Sequence, residues 1–367
     1  MGSLTLTAKI KLYPSQEQAA TLQRTLSVLR DAQNFVSAFV FEHSLTHYSK
    51  LNQALYYPVR EQFGLRSQMT QSTLKTVLAK YRSVKSSGHP FTKILFSRFE
   101  YDLVWNRDYS IRDQTVSVNS LSGRLKIPYE SKGMEHWLAQ GGRFGTAKLL
   151  CKNRKWFLHI PVTLEIEEPE TVTRIVGIDL GVNQLATVYD STGKTLFYSG
   201  RPVKQKRAKM LALRKSLQAC GTKSAKRKLK KLREKESRYV TAVNHAVTKA
   251  LVSRYGAGTL YVLEDLTGVR RATERVRTKQ RYVTVSWSFY EFRKMLEYKA
   301  ALTGSMVVAV NPAYTSQDCP ICGNRSKESR NRKAHEYHCR TCGYRSNDDR
   351  VGAMNLYLAG RKLSEPT

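Results

Sequence analysis

Negative charge is scarce in this chain. Its 367 residues hold 29 Asp and Glu against 62 Lys and Arg, a formal charge of +33. A surface so one-sided repels itself unless a polyanion neutralises it, which points to a protein that meets many phosphates. Long apolar runs are missing as well. None approaches the roughly 18 residues of a membrane span, and no basic amphipathic helix with an aromatic face stands out as a membrane anchor. The opening "MGSLTLTAKIKLYP" alternates polar and apolar residues as a strand does and does not read as a secretion signal. Leu6 stands where a myristoylation signal needs Ser or Thr. Cysteine is sparse, with six residues. Without a secretion signal no disulfides are expected, and Cys151 and Cys220, which stand alone, read as buried or inert thiols. No helix-turn-helix or finger array is present to read a base sequence directly. The expectation is a cytoplasmic protein, off the membrane.

What is present suits a cored chain of about two or three domains. Leu4, Leu6, Ala8, Ile10 and Leu12 alternate as a strand. Ser15 and Gln18 form a capping box that opens a helix whose apolar face is Ala19, Leu22, Leu26, Leu29, Val36 and Val40. A further helical stretch over 67–83 has Leu74, Val77, Leu78 and Tyr81 on one face and Gln68, Gln71, Ser72 and Lys75 on another. That second face is either plainly solvated or, through its amides, a reader of base edges. From about 91 to 168 the pattern becomes short β-runs separated by turns, which reads as a small barrel closed by the N-terminal strand, and "EIEEPETVT" follows as an acidic linker. From Arg174, "RIVGIDLG", "QLATVYD" and "TLFYSG" read as a β-meander. Between Arg201 and Arg238 stand 16 basic residues and two acids. With a thin seam of Leu211, Leu217, Leu229 and Leu232, this reads as a helical hairpin with a basic, phosphate-tracking outer face. "TLYVLEDL" is a buried strand, "GVRRATERVRTKQRY" a basic loop containing Arg270 and Arg271, and a helix over 289–303 precedes the strand "MVVAVNP".

Two constellations carry chemistry. Cys319, Cys322, Cys339 and Cys342 follow C-x2-C-x16-C-x2-C, the spacing of two knuckles that hold one tetrahedral structural Zn²⁺. His335 and His338 are then bystanders, because four thiolates already close the site. The second constellation is acidic. Asp179 lies in an apolar strand, Glu264 ends another, and Asp348 and Asp349 open a helix carrying Val351, Met354 and Leu358. Each has an ordinary reading on its own: a strand-end cap, a partner for an arginine, a helix N-cap. Converging carboxylates repel unless cations intervene, and Mg²⁺ suits oxygen ligands. Two such ions, or Mn²⁺ in their place, clamp the attacking and leaving oxygens of a phosphodiester.

"GIDLGVNQLATV", "YVLEDL", "AYTSQDCPICG…CRTCG" and "NDDRVGAMNL" resemble, in order and spacing, the TnpB proteins of insertion sequences. "YPSQEQ" with Asn34 and "KNRKWFLHIPV" extend the resemblance over nearly the whole chain. The resemblance implies an α+β multidomain protein: a wedge β-barrel with an inserted helical recognition lobe, then an RNase H-like (RuvC) nuclease domain carrying a zinc ribbon. The boundaries it suggests are 1–13 for the first barrel strand, 14–90 for the helical domain and 91–172 for the barrel. The nuclease takes 173–312, the ribbon 313–345 and the final nuclease helix 346–367.

It also implies RNA-guided cleavage of double-stranded DNA beside a short motif that the protein reads itself. The partners are a guide RNA and the target DNA, so the protein is nucleoid-associated when bound, and a monomer is favoured. Carried onto this sequence, the catalytic and Mg²⁺-binding acids are Asp179, Glu264 and Asp349. Asp349 is chosen over Asp348 because it precedes Asn355 by six residues, as in the family pattern, which leaves Asp348 as a capping residue. Gly352 departs from the usual Ala. Gln68, Gln71, Ser72, Lys75, Arg270 and Arg271 are the candidate nucleic-acid contacts. A compact type V CRISPR effector is the nearest alternative. A nuclease-dead binding protein, a DDE transposase and a zinc-ribbon transcription factor are further ones, disfavoured by the intact acids, by their Asp-Glu-Asp order and by their presence at all.

Overall fold

A computed structural model describes residues 2–131, 142–167, 171–266 and 289–364. The chain forms two compact units, one over residues 3–165 and one from residue 166 onward.

In the first unit, β1 (Gly2–Leu12) leads into α1 (Gln16–Glu42), α2 (Tyr48–Phe63) and α3 (Ser67–Ser86). The Ser15–Gln18 capping box starts α1, with reciprocal bonds of 3.1 and 3.2 Å, and the Gln18 amide also donates to Lys126 O at 3.0 Å. Two orphan N–H groups are thereby satisfied and the helix entry is pinned to the sheet. Asn34 grips the backbone of Phe96 from both sides, accepting from its N–H at 2.7 Å and donating to its carbonyl at 3.0 Å. Seven further strands follow: β2 (Glu100–Leu103), β3 (Tyr109–Arg112), β4 (Thr115–Ser120), β5 (Gly123–Glu130), β6 (Arg143–Phe144), β7 (Ala147–Lys152) and β8 (Lys155–Ile166). They build a nearly closed, barrel-like sheet in the order β2-β7-β8-β1-β5-β4-β3, with β6 on β8, so β1 lies within the sheet between β8 and β5. One apolar cluster joins the barrel interior to the helices, from Ile10 and Leu158 to Leu26, Leu74 and Tyr81.

In the second unit, β9 (Arg174–Asp179), β10 (Gln184–Asp190) and β11 (Thr195–Ser199) form the antiparallel meander. The helices α4 (Arg201–Cys220) and α5 (Lys223–Tyr255) follow, then β12 (Thr259–Glu264), α6 (Phe289–Ala301) and β13 (Met306–Val310). The sheet order is β11-β10-β9-β12-β13, with β9, β12 and β13 parallel. A three-stranded sheet of β14 (Arg330–Asn331), β15 (Glu336–His338) and β16 (Arg345–Asn347) precedes α7 (Asp348–Ser364).

Strands β9 and β12 are buried on both faces, as parallel strands covered by helices must be. Tyr261 and Leu263 face a cluster containing Leu251, Phe292 and Leu296 of α5 and α6, whereas Leu260 and Val262 face Leu356 of α7. Helix α7 lies tight on the sheet because two glycines let it. A Cβ on Gly177 of β9 would come within 2.1 Å of Ala353 O, and one on Gly360 of α7 within 2.6 Å of Val262 Cγ2.

The α4–α5 pair is held by more than the leucine seam. Of the four leucines only Leu232 is buried, joined by Val203, Met210, Ala225 and Val240. A buried ion cluster adds to it: Glu236 meets Arg214 at 2.6 Å and Arg207 at 3.6 Å. Of the two lone thiols, expected to be buried or inert, Cys151 is half-buried, and Cys220 is exposed where it ends α4 at the turn between the helices. No helix among the described residues is long and apolar enough to cross a membrane.

Candidate metal centre

Parallel register brings the first two acids together. Leu263 pairs with Ile178, so Glu264 and Asp179 each follow at the next step of adjacent strands. Side chains alternate along a strand, so both point to the face of Leu260, Val262 and Gly177, the face covered by α7. Asp349 lies in the first turn of that helix. One turn on, Gly352 lies against Asp179, where a Cβ would come within 3.1 Å of its carboxyl carbon and Oδ2.

The electrostatics follow from this convergence. Burial, then the charges of Glu264 and Asp349, push the Asp179 carboxyl up to about 8. Burial also raises Glu264, opposed by a hydrogen bond from the Thr315 hydroxyl to its Oε1. Burial and Asp348 raise Asp349. Each shift records a cost of ionisation that a bound cation removes. Beside Asp179, its cross-strand neighbour Thr187 is fully buried, and its hydroxyl has no hydrogen-bond partner among the described residues. Arg330 compensates these charges only in part, and carboxylate and hydroxyl oxygens are the hard donors that Mg²⁺ or Mn²⁺ prefers.

Asp348 does not cap the helix. The side chain of Asn347 does, accepting from the N–H groups of Asp349 and Arg350 at 3.1 Å each. Asp348 is instead buried at 2% exposure and accepts from Arg330 Nε at 2.8 Å. His335 Nδ1 lies 3.3 Å from its other oxygen. The amide of Asn183 faces His335 Nε2 at 3.0 Å while its carbonyl takes Lys204 Nζ, so Nε2 accepts and Nδ1–H donates to Asp348. Asp348 is engaged directly by Arg330 and His335, whereas Asp349 lies farther from both, at 3.9 and 4.0 Å, and acts on Asp179. Arg330 is the residue sequence reasoning missed, and His335, a bystander to the cysteines, is engaged with Asp348 instead. They come from the segment between the two cysteine pairs, and no periodicity marks them. His335, Asp348 and Asp349 have ligand atoms within 4.8 Å of one another.

The four cysteines converge, all within 4.8 Å. Sγ–Sγ separations are 3.7 Å for Cys319–Cys342 and 3.6 Å for Cys322–Cys339. Tetrahedral Zn–S bonds of about 2.3 Å require about 3.8 Å between sulfurs, so the set fits zinc. Backbone N–H groups, that of Cys342 foremost, hold the Cys339 thiol down, while burial and the three neighbouring thiols push the Cys342 thiol up, as four crowded thiols without a metal must.

Of the candidate nucleic-acid contacts, Ser72 is buried at 7% exposure, because α3 is covered on more than one side, as buried Thr70 and Thr73 also show. Gln68 has its Oε1 taken by Arg107 at 3.3 Å, and Lys75 Nζ sits 5.3 Å from the Tyr48 ring centre. Gln71 and Lys75 remain accessible. Arg270 and Arg271 lie outside the described residues.

Two family models match parts of the chain. One, described as Cas12f1-like, TNB domain, matches residues 289–356, and one described as a probable transposase of the OrfB_IS605 type matches residues 159–268. The chain is 30% identical over 227 residues to a protein of Escherichia coli K12 named putative RNA-guided DNA endonuclease InsQ, covering 57% of this chain and 55% of that one. It is 28% identical over 240 residues to a TnpB-like protein of Methanocaldococcus jannaschii, covering 62% and 82%. The chain spans about half the length of the first curated relatives it matches, 51%, 44% and 55%. In fold it is similar to the mini-RNA-guided endonuclease CRISPR-Cas_phi3, with TM-score 0.52, 11% identity, and 100% and 93% of the two chains covered.

Proposed function

We propose, from the premise that this chain belongs to the TnpB family, that it cuts DNA selected by a guide RNA. The unit from residue 166 onward is then a RuvC-type, RNase H-like nuclease with a zinc ribbon, and the first unit a wedge barrel with a helical recognition lobe. The observation that carries this reading is the meeting of Asp179, Glu264 and Asp349 from two parallel strand ends and the helix packed on them.

Bound Mg²⁺ would supply Lewis-acid charge to the scissile phosphate and to the attacking water. The chain's own work is to hold three carboxylates ready for it. Asp179 is fixed against Gly352, Glu264 accepts from Thr315, and Asp349 is set by the Asn347 cap. Arg330 lowers all three acids electrostatically and so offsets part of their repulsion. The zinc ribbon's cysteines carry no chemistry of their own in this reading. They hold the segment that delivers Arg330 and His335.

Three acids cannot choose a sequence. The basic excess of 62 over 29 suits a protein that holds a heteroduplex by its backbone while base pairing does the choosing. The test is to strip copurifying RNA, supply guides of chosen sequence and map the cuts. Cuts that follow the guide support the reading. Cuts at a fixed DNA sequence, or equally fast without RNA, overturn it. The Cas12f1-like match over 289–356 favours a compact type V CRISPR effector as the second reading. Sequencing the bound RNA separates the two, through a repeat in one case and a transposon end in the other.

A further inference from the structure

The loop between β13 and the first cysteine pair reaches into the acid cluster. The Thr315 hydroxyl donates to Glu264 Oε1 and also lies 3.1 Å from Pro312 O. One hydroxyl proton serves one acceptor at full strength, and the nearer here is the carboxylate. The loop is not held by regular structure. It turns through Tyr314, whose φ is 68°, with Ala313 N donating to Asn311 Oδ1 at 2.9 Å and Asp318 N to Tyr314 O at 3.0 Å. Asn355 ties it to α7, and the Tyr337 hydroxyl, donating to Gln317 O at 3.2 Å, ties it to β15. The Asn355 amide nitrogen donates to Thr315 O at 2.7 Å and to Asp318 O at 2.8 Å, using both hydrogens.

Asn355 stands on α7, the helix that carries Asp349. One rigid element therefore bears one acid directly and reaches a second through two hydrogen-bonded steps. We propose that Thr315 is a positioning residue for Glu264 and that Asn355 sets Thr315, so that Oε1 is occupied and a cation is directed to Oε2. The arrangement would hold the Glu264 carboxylate in one orientation, with Oε2 the freer oxygen for a cation. That suits Mg²⁺, which demands near-octahedral geometry and gains nothing from a carboxylate free to chelate or swing. It also gives the Asn of the helix a function: it keeps the strand-borne and helix-borne carboxylates in step. The inference rests on Glu264 being a metal ligand, and the experiment separates the two claims.

The probe is Mn²⁺, titrated into the full chain carrying its RNA, without DNA, and followed by electron paramagnetic resonance of the bound ion. An Asp179→Ala/Asp349→Ala double variant supplies the background from RNA. Thr315→Val should weaken binding at the acid centre about 10–100-fold, as loss of an outer hydrogen bond to a ligand does. Thr315→Ser should restore it to within about threefold. Asn355→Ala should weaken it as well, and should add little to Thr315→Val if it acts through that residue. Zinc content and the thermal midpoint report whether the fold is intact, and Thr315→Ala serves if Val does not fit. Glu264→Gln should lose binding outright. If Glu264→Gln binds Mn²⁺ like the parent, the metal reading of Glu264 fails. If it loses binding while Thr315→Val and Asn355→Ala bind like the parent, the relay alone is overturned.

Discussion

Asp179 and Glu264 end neighbouring parallel strands at the same height, one step beyond the Ile178–Leu263 pair, on the face that α7 covers. Neither has a cationic partner within ion-pairing distance among the described residues. The nearest compensation is the more distant Arg330. Two half-buried carboxylates side by side are strained as a pair of anions, and the expected behaviour of the centre follows from that.

Asp179→Ala, Glu264→Ala and Asp349→Ala should each reduce Mg²⁺-dependent cleavage to background while guide and DNA binding persist. Asp348→Ala should act differently. It removes the partner of Arg330, whose side chain is only 20% exposed, and breaking such a pair costs about 3–5 kcal/mol of stability. Denaturant unfolding compared with single-turnover cleavage distinguishes the two classes. A stable, inactive Asp348→Ala beside an active Asp349→Ala would reverse the assignment.

The Asp179 carboxyl sits at about 8 when folded, against 3.8 for a free side chain. Folded protein thus holds this proton more tightly than unfolded protein between those values, and metal-free stability should fall as pH rises from about 4 to 8. Asp179→Asn abolishes the cost. At pH 8.5 without metal the variant should melt higher than the parent, by about 2–4 °C for each kcal/mol relieved, and the gap should close toward pH 5. Calorimetric scans across pH check this, and a gap that widens on acidification would contradict it.

Gly352→Ala places a methyl 3.1 Å from the Asp179 carboxyl. The helix gains up to about 1 kcal/mol of propensity, while the carboxylate must shift by a few tenths of an ångström. Cleavage should fall several-fold at limiting Mg²⁺ and recover at high Mg²⁺, with the melting temperature unchanged or raised. Equal loss at all Mg²⁺ concentrations would place the effect elsewhere.

Purified protein should contain about one Zn²⁺ per chain. Cys319→Ser, or prolonged chelation, should lower the melting temperature and release the segment that delivers Arg330 and His335, so cleavage should fall together with stability. Atomic absorption beside thermal scans tests this, and a folded, active sample without zinc would refute it.

Gln71→Ala should change the preferred target-adjacent motif in a randomised-flank library, by about 1–3 kcal/mol of discrimination at one position. Gln68→Ala should act more weakly, because its carbonyl is already engaged by Arg107. An unchanged preference would leave this face of α3 as plain solvated surface.

The local signals were the legible ones. Ser15 and Gln18 announced their helix because a capping box spans four residues. The CxxC pairs announced their site because thiolate geometry is local to each knuckle. Glu264 and Asp179 were readable as charges in apolar strands, though their adjacency needed the β9–β12 pairing that no spacing discloses. Asp348 was misread because a doubled acid at a helix start fits capping statistics equally well, and only the approach of Arg330 and His335 decides its role. Ser72 was misread because helical periodicity assumes one covered face and α3 has more. Asn355 was visible as part of a pattern, but its hold on Thr315 is a tertiary contact across 40 positions.

The centre draws on acids from far apart in the chain, and α7, which packs on Gly177, follows the segment with the four cysteines. Asp349 leaves a ribosome 170 residues after Asp179. A growing chain therefore exposes two of its acids, and much of its basic surface, long before the third can join them. The three acids can therefore be brought together only when α7, near the end of this sequence, has been made.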